Sequence, residues 1–352
     1  MKAVYLEKPG APLRVIEQPD PKLRAGGAIV NISAVPVLSF MKKVVSGDLG
    51  YAMATPWIPG PNAVGVVDSV ADDVIGVKPG DQVFIDPHIY THTATDAYDG
   101  ILLGLTALSP LAPALQQRWR NGTFAQKCLV PAECLTVVTG TSFEPARIAW
   151  LSYAAVAYGG LLRGELRPGQ TLVVSGATGN IGSCAVLIGL AMGARRIVAL
   201  GRERDVLGQL KSIHPARIET IELKGDFDQD KQRIAAAAGG ADLVYDMLGN
   251  ARTFAPTAAA IHALRRGGTA VLMGGVQADF SLPYAHIMLN EISIKGNMMY
   301  PRRAPAELLD MVTAGLLPLA QVQIRTFPLE QVNAALDHAE RSRGLSYSML
   351  TP

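Results

Sequence analysis

Residues 170–194, QTLVVSGATGNIGSCAVLIGLAMGA, constrain the fold more than any other stretch of the chain. QTLVVSG is an unbroken apolar run closed by glycine, the texture of a strand buried on both faces. NIGSCAVLIGLAMGA carries apolar residues at helical spacing, and RRIVALG is a second buried-strand run. Between strand and helix stand Gly176, Gly179 and Gly182, a G-x-x-G-x-x-G spacing. The first glycine allows the tight turn, the second lets backbone approach a pyrophosphate, and the third permits close helix–strand packing. The helix start adds N–H groups and positive dipole. The spacing departs from strict G-x-G-x-x-G, but both flanks are those of a dinucleotide loop. The alternative is a glycine-rich turn with no ligand. The cradle would comprise Gly176, Thr178, Gly179, Asn180 and Ile181.

The neighbouring texture agrees. From about Phe143 strands alternate with helical patterns: IETIELK, then DQDKQRIAAAAGG, ADLVYDMLG, a helix over ARTFAPTAAAIHALRRGG, TAVLMGG and EISIKGN. Such alternation predicts a doubly wound parallel sheet with helices on both faces. The preceding 145 or so residues read instead as short strands punctuated by PDPKLRAGG, IPGP and VKPGD, a compact β-rich unit. His88 to Asn121 is long for a loop and breaks that pattern. With 352 residues and roughly 150 per domain, two domains are expected.

Which dinucleotide is bound depends on the end of the second strand, where an NAD site presents a carboxylate to the ribose. Here RRIVAL is followed by Gly201, Arg202, Glu203 and Arg204. Gly201 removes a carboxylate that would repel a 2′-phosphate, and Arg202 and Arg204 offer charge-assisted donors to it, which points to NADP(H). The alternative keeps the arginines as solvated helix-cap residues, with Glu203 on an NAD ribose. Leu248, Gly274 and Gly275, with Met247, end later strands, where ligands bind in such sheets.

Composition excludes several classes. A formal net charge of +2 with interspersed signs gives no basic stripe for nucleic acid. The start, MKAVYLEKPG, has no signal-peptide core, and no run spans a bilayer, so the expected location is the cytoplasm. Cys128, Cys134 and Cys184 lack the spacing of a disulfide framework or structural zinc site and read as simple thiols.

A turn of the form P-x-x-P-G-x-x-x-x-G (here PWIPGPNAVG), then VKPGDQV, NGTFAQKCLVPAE and GATGNIG, in that order, resemble the medium-chain dehydrogenase/reductase superfamily over essentially the whole chain. The resemblance implies an α/β protein in two parts. Residues 1–147, with 286–352 returning to them, would form a GroES-like catalytic domain, and 148–285 a Rossmann domain. Nicotinamide and a small-molecule substrate would share the cleft, and relatives commonly pair as homodimers through sheet edges.

Zinc-dependent members carry a His-Glu pair where this chain has Pro61 and Asn62. Their cysteine ligands would fall near Val37 or Leu38 and near Ser152, and a four-cysteine lobe would occupy the His88–Asn121 excursion. None of these residues is a strong zinc ligand. His88 and His92 of HIYTH are four apart but lack the glutamate of H-E-x-x-H and a third ligand. The expectation is therefore no metal. Zinc-free relatives, the quinone oxidoreductases and enoyl reductases, reduce an alkene conjugated to a carbonyl. The alternatives are a zinc-independent alcohol dehydrogenase or carbonyl or imine reductase, and a non-catalytic NADPH-binding protein. Candidate catalytic residues are Tyr51 in SGDLGY, Asn62 as an amide donor, Ser39 as a proton-relaying hydroxyl, and His88. Tyr300 is a candidate wall residue.

Overall fold

The computed structural model describes residues 1–91, 99–110, 112–279 and 281–352. Six parallel strands form one sheet in the order Ile218–Glu222, Arg196–Gly201, Thr171–Ser175, Ala241–Asp246, Leu264–Leu272, Ser293–Gly296. Counted along the chain, that is 3-2-1-4-5-6, the strand order of a dinucleotide-binding sheet. Every residue of Thr171–Ser175 is buried, which accounts for its unbroken apolar run: helices cover both sides. Asn180–Ala191 covers one face, beside the almost wholly buried helix Leu151–Arg163. Phe227–Ala238 and Ala255–Ile261 cover the other, over Val173, Val198 and Val244.

Two sequence expectations shift here. The helix expected over residues 251–268 is short, Ala255–Ile261, and LRRGGTAVL is one long strand, Leu264–Leu272. Gly267, at φ +72°, and Gly268 let the strand start early, beside a register irregularity opposite Ala241 and Leu243. The parallel sheet also runs past residue 285, since Ser293–Gly296 pairs with Leu264–Leu272 and forms its edge.

The second sheet holds seven strands. Its path runs Leu135–Val137, Gln82–Ile85, Ala63–Val70, Gly27–Val37, Ser346–Thr351, Gln323–Pro328, with Lys127–Pro131 also on Gly27–Val37. The last strand of the chain thus lies antiparallel beside the long early strand Gly27–Val37, so the end of the sequence returns to the β-rich sheet. The expected excursion contains a small antiparallel sheet, His88–Tyr90, Gly100–Leu102 and Thr106–Ala107, and the helix Ala112–Arg118; His92 lies outside the described residues. One apolar core runs from Phe84 and Trp150 through Tyr347 to Leu172 and Tyr245, joining the two sheets.

Candidate active site

A cleft of about 1640 Å³ runs from the glycine loop to the β-rich sheet. At the loop, each glycine has its own reason. Gly176 sits at φ +80°, and a Cβ there would lie 2.6 Å from the Met247 carbonyl oxygen. A Cβ at Gly182 would fall on the Gly176 carbonyl oxygen, so the helix can approach only without one. Gly179 differs: its φ of −79° and ψ of 162° suit any residue, and a Cβ would meet only the Gly176 oxygen at 3.4 Å. The protein leaves that side of Gly179 clear, and no side chain caps the helix that begins there. The first-turn N–H groups of a helix have no partner within it, so the loop fits a pyrophosphate.

The loop is clamped from the far end of the chain. Asn180 Nδ2 donates to the carbonyls of Gly344 (3.2 Å) and Ser346 (2.8 Å), Tyr347 Oη donates to the Asn180 carbonyl (3.0 Å), and Gly344 N–H donates to the Thr178 carbonyl (2.9 Å). The side chain of Asn180 therefore holds the returning segment, while Ile181 lines the cleft.

At the second strand, Gly201 lies against Thr178, and a Cβ there would strike the threonine side chain. The glycine has a packing reason besides the electrostatic one read from sequence. Arg202 and Glu203 line the cleft and Arg204 does not; Arg204 opens the helix Arg204–Ile213. With Lys224, the main influence, it helps hold the Glu222 carboxyl below its usual range. Lys224 and Arg343 also line the cleft. The rule that ligands gather at strand ends could have found Lys224, just beyond Ile218–Glu222. Arg343 carried no local signal, because it arrives from the last ten residues.

Leu248, Gly274 and Gly275 line the middle of the cleft. Gly275 N–H donates to the Leu248 carbonyl at 2.8 Å, and a Cβ at Gly274 would lie 2.8 Å from Asp246 Oδ2. Asp246, missed in the sequence, accepts from the Thr257 hydroxyl and from the N–H groups of Leu248 and Gly274. It ties two strand ends together beside the cleft residues Leu248 and Gly274. Burial raises its carboxyl above the usual range despite those bonds.

Ser39, Tyr51 and Asn62 line the same cleft, as do Leu38, Pro61 and Ser152 and apolar side chains such as Leu105, Val156 and Met298. The PWIPGPN turn is locked from behind: Gly60 N–H donates to the Gly104 carbonyl (3.0 Å), and a Cβ on Gly104 or Gly122 would strike the Gly60 oxygen. The Ser39 and Tyr51 hydroxyls have no hydrogen-bond partner among the described residues. Burial raises the Tyr51 phenol, which stays protonated and can donate. Ser152 Oγ donates to the Ala149 carbonyl at 2.8 Å.

Asn62 departs from the expected donor role. Its Nδ2 donates to the Ile85 carbonyl (3.2 Å) and the Tyr300 hydroxyl (3.5 Å), both behind the cleft. A carbonyl only accepts, so this fixes the amide orientation and leaves Oδ1 for the cleft. His88 does not line the cleft at all. It is 4% exposed, with Nδ1 2.5 Å from Asp86 Oδ1.

The positions where a catalytic zinc would be held thus present hydroxyls, aliphatic groups and one engaged amide, a set that does not fit zinc. Among the described residues no three His, Cys, Asp or Glu side chains cluster to hold a metal. All three cysteines are free and buried, and burial pushes the Cys128 and Cys184 thiols up to about 12.

Comparison with known proteins agrees with this architecture. Residues 24–139 match the family model for the alcohol dehydrogenase GroES-like domain, and 180–314 that for zinc-binding dehydrogenases. An alcohol dehydrogenase of Moraxella sp. (strain TAE123) is 30% identical over 347 residues, 97% of this chain and 96% of that protein. An alcohol dehydrogenase of Geobacillus stearothermophilus is 28% identical over 346 residues, 97% and 96% of the two chains. The fold is shared with the alcohol dehydrogenase TADH from Thermus sp. ATN1, at a TM-score of 0.84 and 22% identity, covering 100% of this chain and 99% of that one.

Proposed function

Since the chain belongs to the medium-chain dehydrogenase/reductase superfamily, an oxidoreductase family that binds nicotinamide cofactors, we propose that it is an NADP(H)-dependent reductase working without zinc on a small apolar alkene conjugated to a carbonyl, or on a quinone. The observation that carries this reading is the donor set in the same cleft as the glycine loop: the hydroxyls of Ser39 and Tyr51, without a hydrogen-bond partner among the described residues, in a lining otherwise rich in apolar side chains. Arg202, Lys224 and Arg343 at the far end supply the positive charge that favours a 2′-phosphate.

Bound nicotinamide supplies the hydride. The chain's own groups do the rest. Apolar side chains exclude water and set the β carbon of the alkene toward the ring. As that carbon gains a hydride, the π electrons move onto the carbonyl oxygen, and the Ser39 and Tyr51 hydroxyls donate to the enolate there. A proton taken up from solvent then adds to the α carbon, completing the reduction as NADPH plus H⁺. Neutral hydroxyls suit the delocalised charge of an enolate better than the localised charge of an alkoxide.

One observation favours the second reading, an alcohol dehydrogenase or carbonyl or imine reductase: Asn62 offers an acceptor, which suits a substrate carrying O–H or N–H. Loss of NADPH absorbance with a quinone, an enone, an aldehyde and an imine, each with and without chelator, separates the two. Turnover of enone or quinone, unaffected by chelator, is expected. Turnover of aldehyde or imine alone replaces the first reading with the second, and activity that chelator abolishes overturns the zinc-free chemistry.

A further inference from the structure

Beneath Asn62 lies a buried polar group that the proposed chemistry leaves unused. Asp86 follows the strand Gln82–Ile85 and is 3% exposed. Its Oδ1 accepts from the backbone N–H of His88 (2.8 Å) and faces His88 Nδ1 (2.5 Å). A carboxylate accepts only, so Nδ1 carries the proton and the ring is held in one tautomer and one orientation. Cys134 Sγ donates to the His88 carbonyl at 3.3 Å and fixes the same residue from the backbone side. The His88 ring meets Tyr300 edge to face, 4.9 Å between centroids at 79°. Tyr300 packs closely on the helix Leu151–Arg163 because position 159 is glycine, where a Cβ would lie 2.7 Å from Tyr300 Cβ. The Tyr300 hydroxyl in turn accepts from Asn62 Nδ2.

We infer that Asp86 and His88 are positioning residues: through Tyr300 they hold the Asn62 amide with both N–H bonds turned inward and its oxygen toward the cleft, making that part of the floor an acceptor for a hydroxyl or N–H on the bound molecule. The inference rests on the reading that this cleft takes nicotinamide and substrate. It assigns Asp86 and His88, buried just before and at the start of the excursion, a role in selectivity, and it explains why His88 serves the site without lining it.

The test uses the NADPH-loaded protein, in which an alcohol cannot be oxidised, with benzyl alcohol and benzyl methyl ether as competing probes followed by NADPH fluorescence. The two differ in one donor. Wild type should bind the alcohol about 10-fold more tightly, one charge-neutral hydrogen bond in an apolar setting. Asn62→Leu should abolish the preference. Asp86→Asn and Tyr300→Phe should each reduce it about 3-fold, and the double variant should do no worse than either single one. A merely structural network would lower the melting temperature of both variants and leave the alcohol-to-ether ratio unchanged, which would overturn the inference; so would fully additive effects, or no preference in wild type. Failure of wild type to bind NADPH would instead remove the functional reading, and the inference with it.

Discussion

Replacing Gly179 with alanine separates cofactor binding from folding. The backbone at 179 is already in a region open to any residue, and a Cβ would meet only one protein atom, at 3.4 Å. Gly→Ala at a compatible position restricts the unfolded chain and stabilises by about 0.4–1 kcal/mol. The melting temperature should therefore hold or rise by no more than about 3 °C. The same methyl group stands where the pyrophosphate must approach the helix start. Holding the phosphate off its N–H donors forfeits at least one charge-assisted bond of about 1.5–3 kcal/mol, so NADPH affinity should fall by about 10- to 100-fold.

Gly182→Ala is the control. Its Cβ would fall on the Gly176 carbonyl oxygen, an overpacking that costs about 1–3 kcal/mol or more and lowers the melting temperature by several degrees. Fluorescence titration with NADPH and thermal unfolding of both variants provide the assay. If Gly179→Ala binds NADPH within twofold of wild type, the loop does not cradle a pyrophosphate and the reasoning fails.

Arg202→Ala should weaken NADPH by about 10-fold and NADH hardly at all; equal losses in parallel titrations would show that the cleft does not read the 2′-phosphate there. Tyr51→Phe should lower kcat/KM for the preferred substrate by about 10-fold with NADPH affinity unchanged, and unchanged kcat/KM would remove Tyr51 from the chemistry. Burial, with His286 and Lys231 nearby, lowers the His262 imidazole below its ordinary 6.5. The unfolded chain then binds more protons between the two values, so His262 favours the folded state above 6.5 and loses that contribution as pH falls through its lowered value. His262→Asn should flatten the decline in melting temperature below pH 6.5, and a decline identical to wild type would contradict the assignment.

Local patterns carried much of the architecture. The buried run TLVVS, the three glycines and the apolar helix after them are readable in series because each depends on neighbours a few residues away. TAVL is legible as strand, but the first residues of Leu264–Leu272, LRRGG, follow a helical pattern, because the strand's early start depends on pairing with Ala241, a distant contact. At the site, Ser39, Tyr51 and Asn62 could be named from their segments. Their polarity could not: whether an amide offers N–H or oxygen depends on which groups stand behind it, here Ile85 and Tyr300.

The sequence by itself determined that a strand, a glycine turn and a helix follow one another at residues 171–191, and that the PWIPGPN turn carries no histidine, cysteine or carboxylate, because both follow from residue types at short spacing. Only the tertiary structure decided that Arg343 reaches the cleft from the end of the chain, that packing against Thr178 demands Gly201, and that His88 lies behind the site beside Asp86. Those outcomes depend on contacts between segments up to some 160 residues apart, such as Asn180 with Gly344 and Ser346, and no local pattern records which distant side chain will fill a given space.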